Sequence, residues 1–199
     1  MMYIFEGIDG AGKDTIIKLV QDFIHIPVFN GFNVYDKSEF PKVHEYVNDK
    51  EEWQKAITFE IINFCRQTNT DVIINRFIWS EIVYSYVLRG KADIKYWNFI
   101  ENELKGMAKI IYVDVAPEEA LKRLKKAGRK KSKQVLQNLE LLREEYINSY
   151  LFTPLPTVRI NSMASYGGKN YLNDKDFASH LAVDILTKTG DIYGYTKTL

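Results

Sequence analysis

Along the chain, short uninterrupted apolar runs alternate with longer stretches in which apolar residues recur every three to four positions. The runs lie at residues 3–8, 32–35, 72–74, 110–115 and 158–160. Several are apolar at successive positions, which predicts strands covered on both faces, because a half-wet strand would alternate. After the first run, Ile16, Ile17, Val20, Phe23 and Ile24 form one helical stripe. A helix is predicted over 117–128: Pro117, Glu118 and Glu119 suit its start, and lysines followed by Gly128 suit its end. Residues 51–67 read as a helix with Trp53, Ala56, Ile57, Ile61 and Phe64 on one stripe. Phe59, Ile62, Asn63 and Arg66 fall on a second face, about 100° or more around the axis. Two more helices are predicted at 134–149 and 175–188, and 162–173, with Gly167 and Gly168, reads as a flexible loop. This alternation predicts an α/β fold, a parallel five-stranded sheet in three layers with helices on both faces. With 199 residues it is expected to be one domain spanning 1–199. Ligands of such sheets bind at the carboxyl ends of the strands.

At that edge, directly after the first run, stands Gly7-Ile8-Asp9-Gly10-Ala11-Gly12-Lys13. The spacing G-x-x-x-x-G-K between a strand and a helix marks a phosphate-binding loop. Glycines let backbone N–H groups converge on phosphate oxygens, the helix start adds its positive end, and Lys13 adds a cation. The position after the lysine, where a Ser or Thr hydroxyl would ligate Mg²⁺, holds Asp14, followed by Thr15. Asp14 either ligates the metal itself or satisfies free N–H groups at the helix start; both chemistries suit the position.

Composition narrows the class. A single cysteine, Cys65, excludes a disulfide framework, and His25, His44 and His180 are scattered without metal-ligand spacing. No basic segment followed by an apolar stretch marks a signal peptide, and no run approaches the about 18 apolar residues of a membrane span. The expectation is a cytoplasmic protein that binds no membrane. A net charge of +1 argues against a general nucleic-acid coat.

From Phe5 to Thr15, FEGIDGAGKDT resembles the opening of the thymidylate kinases, a branch of the nucleoside monophosphate kinases. The resemblance implies that Gly7, Asp9, Gly10, Ala11, Gly12, Lys13, Asp14 and Thr15 bind ATP, with Asp9 helping to position nucleotides near the transferred phosphate. A second stretch, Asn75-Arg76-Phe77-Ile-Trp-Ser80-Glu-Ile-Val-Tyr84, is similar to the family's Asp-Arg-Tyr/Phe-x-x-Ser-x-x-Ala-Tyr/Phe signature. It implies that Arg76 grips the acceptor monophosphate, with Phe77, Ser80 and Tyr84 in register; a guanidinium fork suits a phosphate. Asn75 stands where the family has Asp. Losing that carboxylate while gaining Asp14 suggests an exchange, one carboxylate moving from the third strand to the first helix.

On the 51–67 helix the resemblance implies that Phe59 stacks on the acceptor base, while Asn63 stands where the family's thymine-reading arginine would be; Phe59 also reads as ordinary core. After the second run, Lys37 or Lys42 takes the place of a monophosphate-touching element. Between Lys122 and Lys133, eight of twelve residues are Lys or Arg. This basic stretch reads as a lid over about 126–134, breaking at Gly128, or as a nucleic-acid patch. Gly10 occupies the loop position where some relatives carry a catalytic arginine, so the resemblance implies a lid type, with Arg123 on the helix and Arg129 as the arriving cation. Arg143 reads as structural.

The implied activity is transfer of the γ-phosphoryl of ATP, with Mg²⁺, to a deoxynucleoside 5′-monophosphate, dTMP first. A deoxynucleoside kinase is the near alternative; its hydroxyl acceptor calls for a base, and Glu6 at the end of the first strand is placed for one. A nucleotide-binding regulatory module is the alternative from another class. Partners are small nucleotides and, as in many relatives, a second copy, for which the aromatic-rich 77–100 stretch would serve.

Overall fold

The chain is described by a computed structural model for residues 1–30, 50–68, 70–128, 131–162, 165–166, 169–170, 175–187 and 190–192. It begins with β1 (Met2–Glu6), α1 (Lys13–Ile24), β2 (Val28–Asn30), α2 (Lys50–Thr68) and β3 (Val72–Asn75). There follow α3 (Ile78–Arg89), α4 (Ile94–Glu103), β4 (Ala108–Asp114), α5 (Pro117–Lys126), α6 (Lys133–Gln137) and α7 (Leu139–Phe152). The last elements are β5 (Thr157–Asn161), β6 (Ser165–Tyr166), β7 (Lys169–Asn170), α8 (Lys175–Thr187) and β8 (Gly190–Ile192). The sheet runs β2-β3-β1-β4-β5-β8 with every pair parallel. Every residue of β1 and β4 is buried, as expected for central strands covered on both faces. α1 packs with α8, and α3 packs with α4 and α7, giving the expected three layers.

The chain leaves β1 toward β2 at one edge and leaves β3 toward β4 on the other side of β1. The carboxyl ends of β1 and β3 therefore flank the point where the winding reverses, which is where such sheets open a binding crevice. Asp9 follows the first of these ends and Arg76 the second.

Several expectations are corrected. The first strand ends at Glu6, not at residue 8, because Gly7 takes φ +140° and turns the chain. The strand expected at 32–35 lies outside the described residues, as do Lys37, Lys42, His44 and Arg129; the second strand of the sheet is Val28–Asn30. A sixth strand, β8, joins the sheet through backbone pairing with β5, without an apolar run to announce it. Part of the expected loop at 162–173 is a small antiparallel hairpin, Ser165–Tyr166 against Lys169–Asn170. The helix expected at 134–149 is two helices, broken at Asn138, which leaves helical geometry and serves as the end of one and the start of the next. α3 and α4 cover much of the aromatic stretch 77–100.

Helix α2 turns a different side to the core. Thr58, Ile62 and Cys65, one stripe at i, i+4 and i+7, are buried, whereas Phe64 is 47% exposed and meets Phe29 edge-on at 5.9 Å. Of the two faces expected, only Ile62 of the second is in this buried stripe, which Thr58 and Cys65 complete. On α1, Ile16, Ile17 and Val20 are buried as expected, but Phe23 in the last turn is 44% exposed.

Candidate active site

The loop after β1 closes through backbone geometry that only glycine permits. Gly7 has φ +140°, and a Cβ there would lie 2.3 Å from the Val113 carbonyl oxygen; at Gly10, φ +83°, it would lie 2.6 Å from the Ala120 carbonyl oxygen. The loop is thus pressed against the ends of β4 and α5. Gly12 is the cap of α1 and carries no side chain that would consume the free N–H groups of the first turn. Lys13 is buried, and its ammonium donates to the Gly7 carbonyl at 2.8 Å and the Ile8 carbonyl at 3.0 Å. Burial and the nearby Arg76 guanidinium push its pKa well below the usual lysine value, against the pull of Asp9, Glu6 and Asp14.

Across the crevice, Arg76 holds φ +68°, a left-handed conformation that costs a non-glycine residue energy and clusters at functional positions. Its Nη2 donates to Asp9 Oδ1 at 2.7 Å, its Nη1 lies 3.3 Å from the Tyr146 hydroxyl, and its guanidinium lies over the Tyr84 ring at 5.3 Å. Tyr84 in turn donates to Asp9 Oδ2 at 3.1 Å. Burial alone would raise the Asp9 pKa, but Arg76, Lys13 and Lys131 outweigh it and hold the carboxyl at about 2.

Glu6 is fully buried and faces α3. Its Oε1 accepts the backbone N–H of Phe77 at 2.8 Å and of Trp79 at 3.1 Å, and its Oε2 accepts the Ser80 hydroxyl at 2.5 Å. The Phe77 side chain cannot cap α3, so a carboxylate from β1 satisfies the first amides instead. Ser80 has one proton and spends it on Glu6, so Tyr146 donates its own to Ser80, at 2.7 Å. Burial raises the Glu6 pKa, partly offset by the Ser80 and Phe77 hydrogen bonds and by Arg76.

A third group joins α1, β2 and β3. Asn75 Nδ2 donates to Asp14 Oδ1 at 2.9 Å and to Asn30 Oδ1 at 3.2 Å. Asn75 Oδ1 is buried and has no hydrogen-bond partner among the described residues. A carboxylate beside an unsatisfied amide oxygen is the hard oxygen chemistry that suits Mg²⁺, which commonly takes one or two carboxylates with water and phosphate completing its shell. Among the described residues there is no group of three or more His, Cys, Asp or Glu side chains that could hold a metal ion. Asp14 is the residue that would hold it.

The loop, Arg76 and the Asp14–Asn75–Asn30 group open onto one cleft of about 470 Å³, lined by Asp9, Gly10, Gly12, Lys13, Asp14, Thr15, Asn30, Asn75, Arg76, Arg123, Leu124, Ala127 and Lys131, a size that suits a small-molecule ligand. Four cations face two carboxylates there, a balance that favours an anion. Arg123 is fixed by Glu119 at 3.0 Å, the Ala11 carbonyl at 3.2 Å and the Ser162 hydroxyl at 3.0 Å. Arg143 binds Asp114 through two nitrogens, and Arg159 joins the same carboxylate at 2.7 Å, a packing role away from the cleft lining.

The structure therefore gathers Asp9, Gly10, Gly12, Lys13, Asp14, Thr15, Arg76 and Arg123 on one cleft, with Gly7 and Ala11 in the loop beneath. Phe77, Ser80 and Tyr84 stand behind Arg76. Phe59 and Asn63 are exposed on α2 and not among the lining residues; Phe59 packs on the rings of Tyr96 at 6.1 Å and Phe99 at 6.3 Å. Sequence reasoning missed Asn30, Lys131, Tyr146 and the capping role of Glu6. The departure at Asn75 was the one signal for the Asp14 cluster; the others depend on contacts between residues far apart in the chain.

A family model described as deoxynucleoside kinase matches residues 4–166. A probable thymidylate kinase of Methanococcus aeolicus is 30% identical over 173 residues, covering 76% of this chain and 81% of that protein. Among solved structures, YorR of Bacillus subtilis in complex with phosphorylated GDP superposes with a TM-score of 0.65 at 20% identity, covering 94% of each chain. Deoxyadenosine kinase from M. mycoides with bound dATP does so with a TM-score of 0.55 at 18% identity, covering 94% of this chain and all of that one. At those identities the two structures speak for the fold alone. No helix among the described residues is long and apolar enough to cross a membrane. With its loop, its crevice and these relatives, the chain belongs to the deoxynucleoside kinase family, in the class of kinases that phosphorylate nucleosides or nucleotides.

Proposed function

We propose that the protein transfers the γ-phosphoryl group of ATP to a deoxynucleoside 5′-monophosphate, with dTMP the first acceptor to try. The observation that carries this reading is Arg76: a part-buried guanidinium, on a backbone held at φ +68°, that lines the same cleft as Lys13 and the phosphate-binding loop. Such an arrangement suits two phosphates meeting in line. The loop amides and Lys13 hold the donor phosphates, Arg76 aligns the acceptor phosphate, and Asp9 with Tyr84 orients Arg76. Asp14 would hold Mg²⁺, which would supply charge neutralisation at the donor phosphates. The acceptor oxygen is already anionic, so no side chain needs to remove a proton. Exclusion of water by the basic segment 126–134 would protect ATP from hydrolysis.

Phosphorylation of a deoxynucleoside is the second reading, favoured by the family model. It needs a base, and Glu6 stands at the right end of β1 for one. Against that role, both Glu6 oxygens already accept hydrogen bonds and the side chain is fully buried. The base of the acceptor is carried only by the thymidylate kinase likeness; Phe59, with its exposed face, is the ring offered to it.

The test is ADP formation measured across deoxynucleoside monophosphates and the matching deoxynucleosides, with Lys13→Ala as the control. The reading expects turnover on a monophosphate, dTMP foremost, abolished in the control. Turnover confined to deoxynucleosides would replace it with the second reading, and ATP binding without turnover on either series would leave a regulatory module.

A further inference from the structure

Tyr146 is a fully buried polar side chain that the transfer described above does not use. It lies on α7, one turn after Arg143, whose guanidinium ties that helix to Asp114 at the end of β4 through two nitrogens. Its ring stacks on Tyr112 of β4 at 6.0 Å with 14° between the planes, so helix and strand together fix where the hydroxyl points. A phenylalanine would pack that ring equally well, and a hydroxyl in such surroundings costs free energy unless it is partnered. Its partners form one chain of hydrogen bonds. Tyr146 donates to Ser80, Ser80 donates to Glu6, and the Tyr146 oxygen accepts Arg76 Nη1 at 3.3 Å, beside the Ser80 oxygen at 3.4 Å. Burial, and then the charge of Glu6, push the Tyr146 pKa well above the ordinary tyrosine value, so the hydroxyl keeps the proton this chain needs.

We infer that Tyr146 is a positioning residue for the acceptor: its hydroxyl, oriented through Ser80 by the Glu6 carboxylate, fixes the plane in which Arg76 meets the acceptor phosphate. The inference rests on the monophosphate reading above. Arg76 Nη2 is held from the loop side by Asp9 at 2.7 Å, and Nη1 is held from behind by the two hydroxyl oxygens. Two attachments on different nitrogens fix a planar group, whereas with one the fork turns about the bond that remains. A two-pronged grip on phosphate needs that plane, so the second attachment acts on affinity for the acceptor. Of Glu6, Ser80, Tyr146 and Arg76, only Arg76 lines the cleft, so the chain reaches the ligand through Arg76. Glu6 acts on the backbone as well, accepting the Phe77 and Trp79 N–H groups just beyond the left-handed Arg76. One buried carboxylate thus sets both ends of that residue.

The test compares Tyr146→Phe, Ser80→Ala and Tyr150→Phe, the last removing a hydroxyl elsewhere on α7. Steady-state kinetics with the best monophosphate of the wild type are joined by calorimetric affinities for that monophosphate and for ATP, and by thermal unfolding. Tyr146→Phe should raise the acceptor KM and dissociation constant about tenfold, while kcat and both constants for ATP change by less than about threefold. Ser80→Ala breaks the chain one link away and should raise the acceptor constants in the same selective way, which keeps the test decisive if Tyr146→Phe folds poorly. Tyr150→Phe should match wild type. In an Arg76→Ala background, adding Tyr146→Phe should leave acceptor affinity where Arg76→Ala alone put it, because the hydroxyl acts through Arg76. Acceptor constants unchanged in Tyr146→Phe, even with a lowered melting temperature, would make the hydroxyl a packing feature and overturn the inference alone. So would an equal loss for ATP, an equal loss in Tyr150→Phe, or additive effects in the Arg76→Ala background. A wild type that binds a monophosphate without turnover still lets the affinities decide. A wild type that neither binds nor phosphorylates any monophosphate would overturn the monophosphate reading and this inference with it.

Discussion

Asn75 donates its side-chain amide to Asp14 at 2.9 Å, so the two positions at which the site departs from the thymidylate kinase pattern share one hydrogen bond. A residue lacking a carboxylate on β3 and a residue gaining one on α1 are direct neighbours across the crevice. Both residues line the same cleft.

The exchange makes a prediction for the pair. Asp14→Thr alone should raise the Mg²⁺ concentration needed for half-maximal activity, and Asn75→Asp alone should crowd two carboxylates together and lower stability. The double variant should recover Mg²⁺ dependence beyond the sum of the single effects, with a coupling of about 1 kcal/mol or more. Additive effects, read by Mg²⁺ titration of activity and by denaturant unfolding, would show that the two residues do not act as a unit.

Glu6→Gln separates the two acceptor readings. The amide keeps one acceptor for the α3 N–H groups but loses the charge, so unfolding should cost about 1–3 kcal/mol less. On a monophosphate kcat should fall by less than about tenfold, because no base is lost; loss of a true general base would cost about 10²–10⁴. Measuring kcat with dTMP and with thymidine on the same preparation gives the answer.

Asp9 predicts a pH dependence of stability. Its folded pKa is held at about 2, below the ordinary aspartate value of 3.8, so the unfolded carboxyl binds more protons than the native one between those values. Its stabilisation is therefore present above about pH 4 and is lost as pH falls toward 2, on the order of 2 kcal/mol. Urea unfolding at steps across that window should show the decline in wild type and a flatter profile in Asp9→Asn.

Gly7→Ala tests the loop itself. The new methyl would sit 2.3 Å from the Val113 carbonyl oxygen at φ +140°, so the loop must leave β4. Stability should fall by about 2 kcal/mol or more, and ATP binding should weaken together with it. A variant that binds ATP as wild type does, measured by calorimetry, would mean that the cradle does not depend on this close approach.

Much of the architecture was legible in the chain. The continuous apolar runs marked the central strands because a buried parallel strand has no polar face, and the glycine spacing before Lys13 marked the loop because only that residue type tolerates φ +140° and +83° against neighbouring backbone. Pro117 and Gly128 bracketed a helix for equally local reasons. β8 was not legible, since its place comes from pairing with β5 and not from its own residues. The side of α2 that faces the core was also hidden, because Thr58, Ile62 and Cys65 bury a stripe that is less apolar than the one with Trp53, Ile57, Ile61 and Phe64.

By itself, then, the sequence determined what each segment can do locally: which runs bury, where the backbone turns, and which side chains carry charge to the ligand edge. Only the tertiary structure decided which of those charges meet. Glu6 reads from the chain as an available base, yet folding delivers three donors of the Phe77–Ser80 turn to its two oxygens. Lys131 is one cation in a crowd of eight until the Ser132 cap and the Gln134–Leu88 bond aim it at Asp9. Hydrogen bonds and ion pairs act over a few ångströms, so their partners are chosen by where strands and helices come to rest, and spacing along the chain carries no record of that choice.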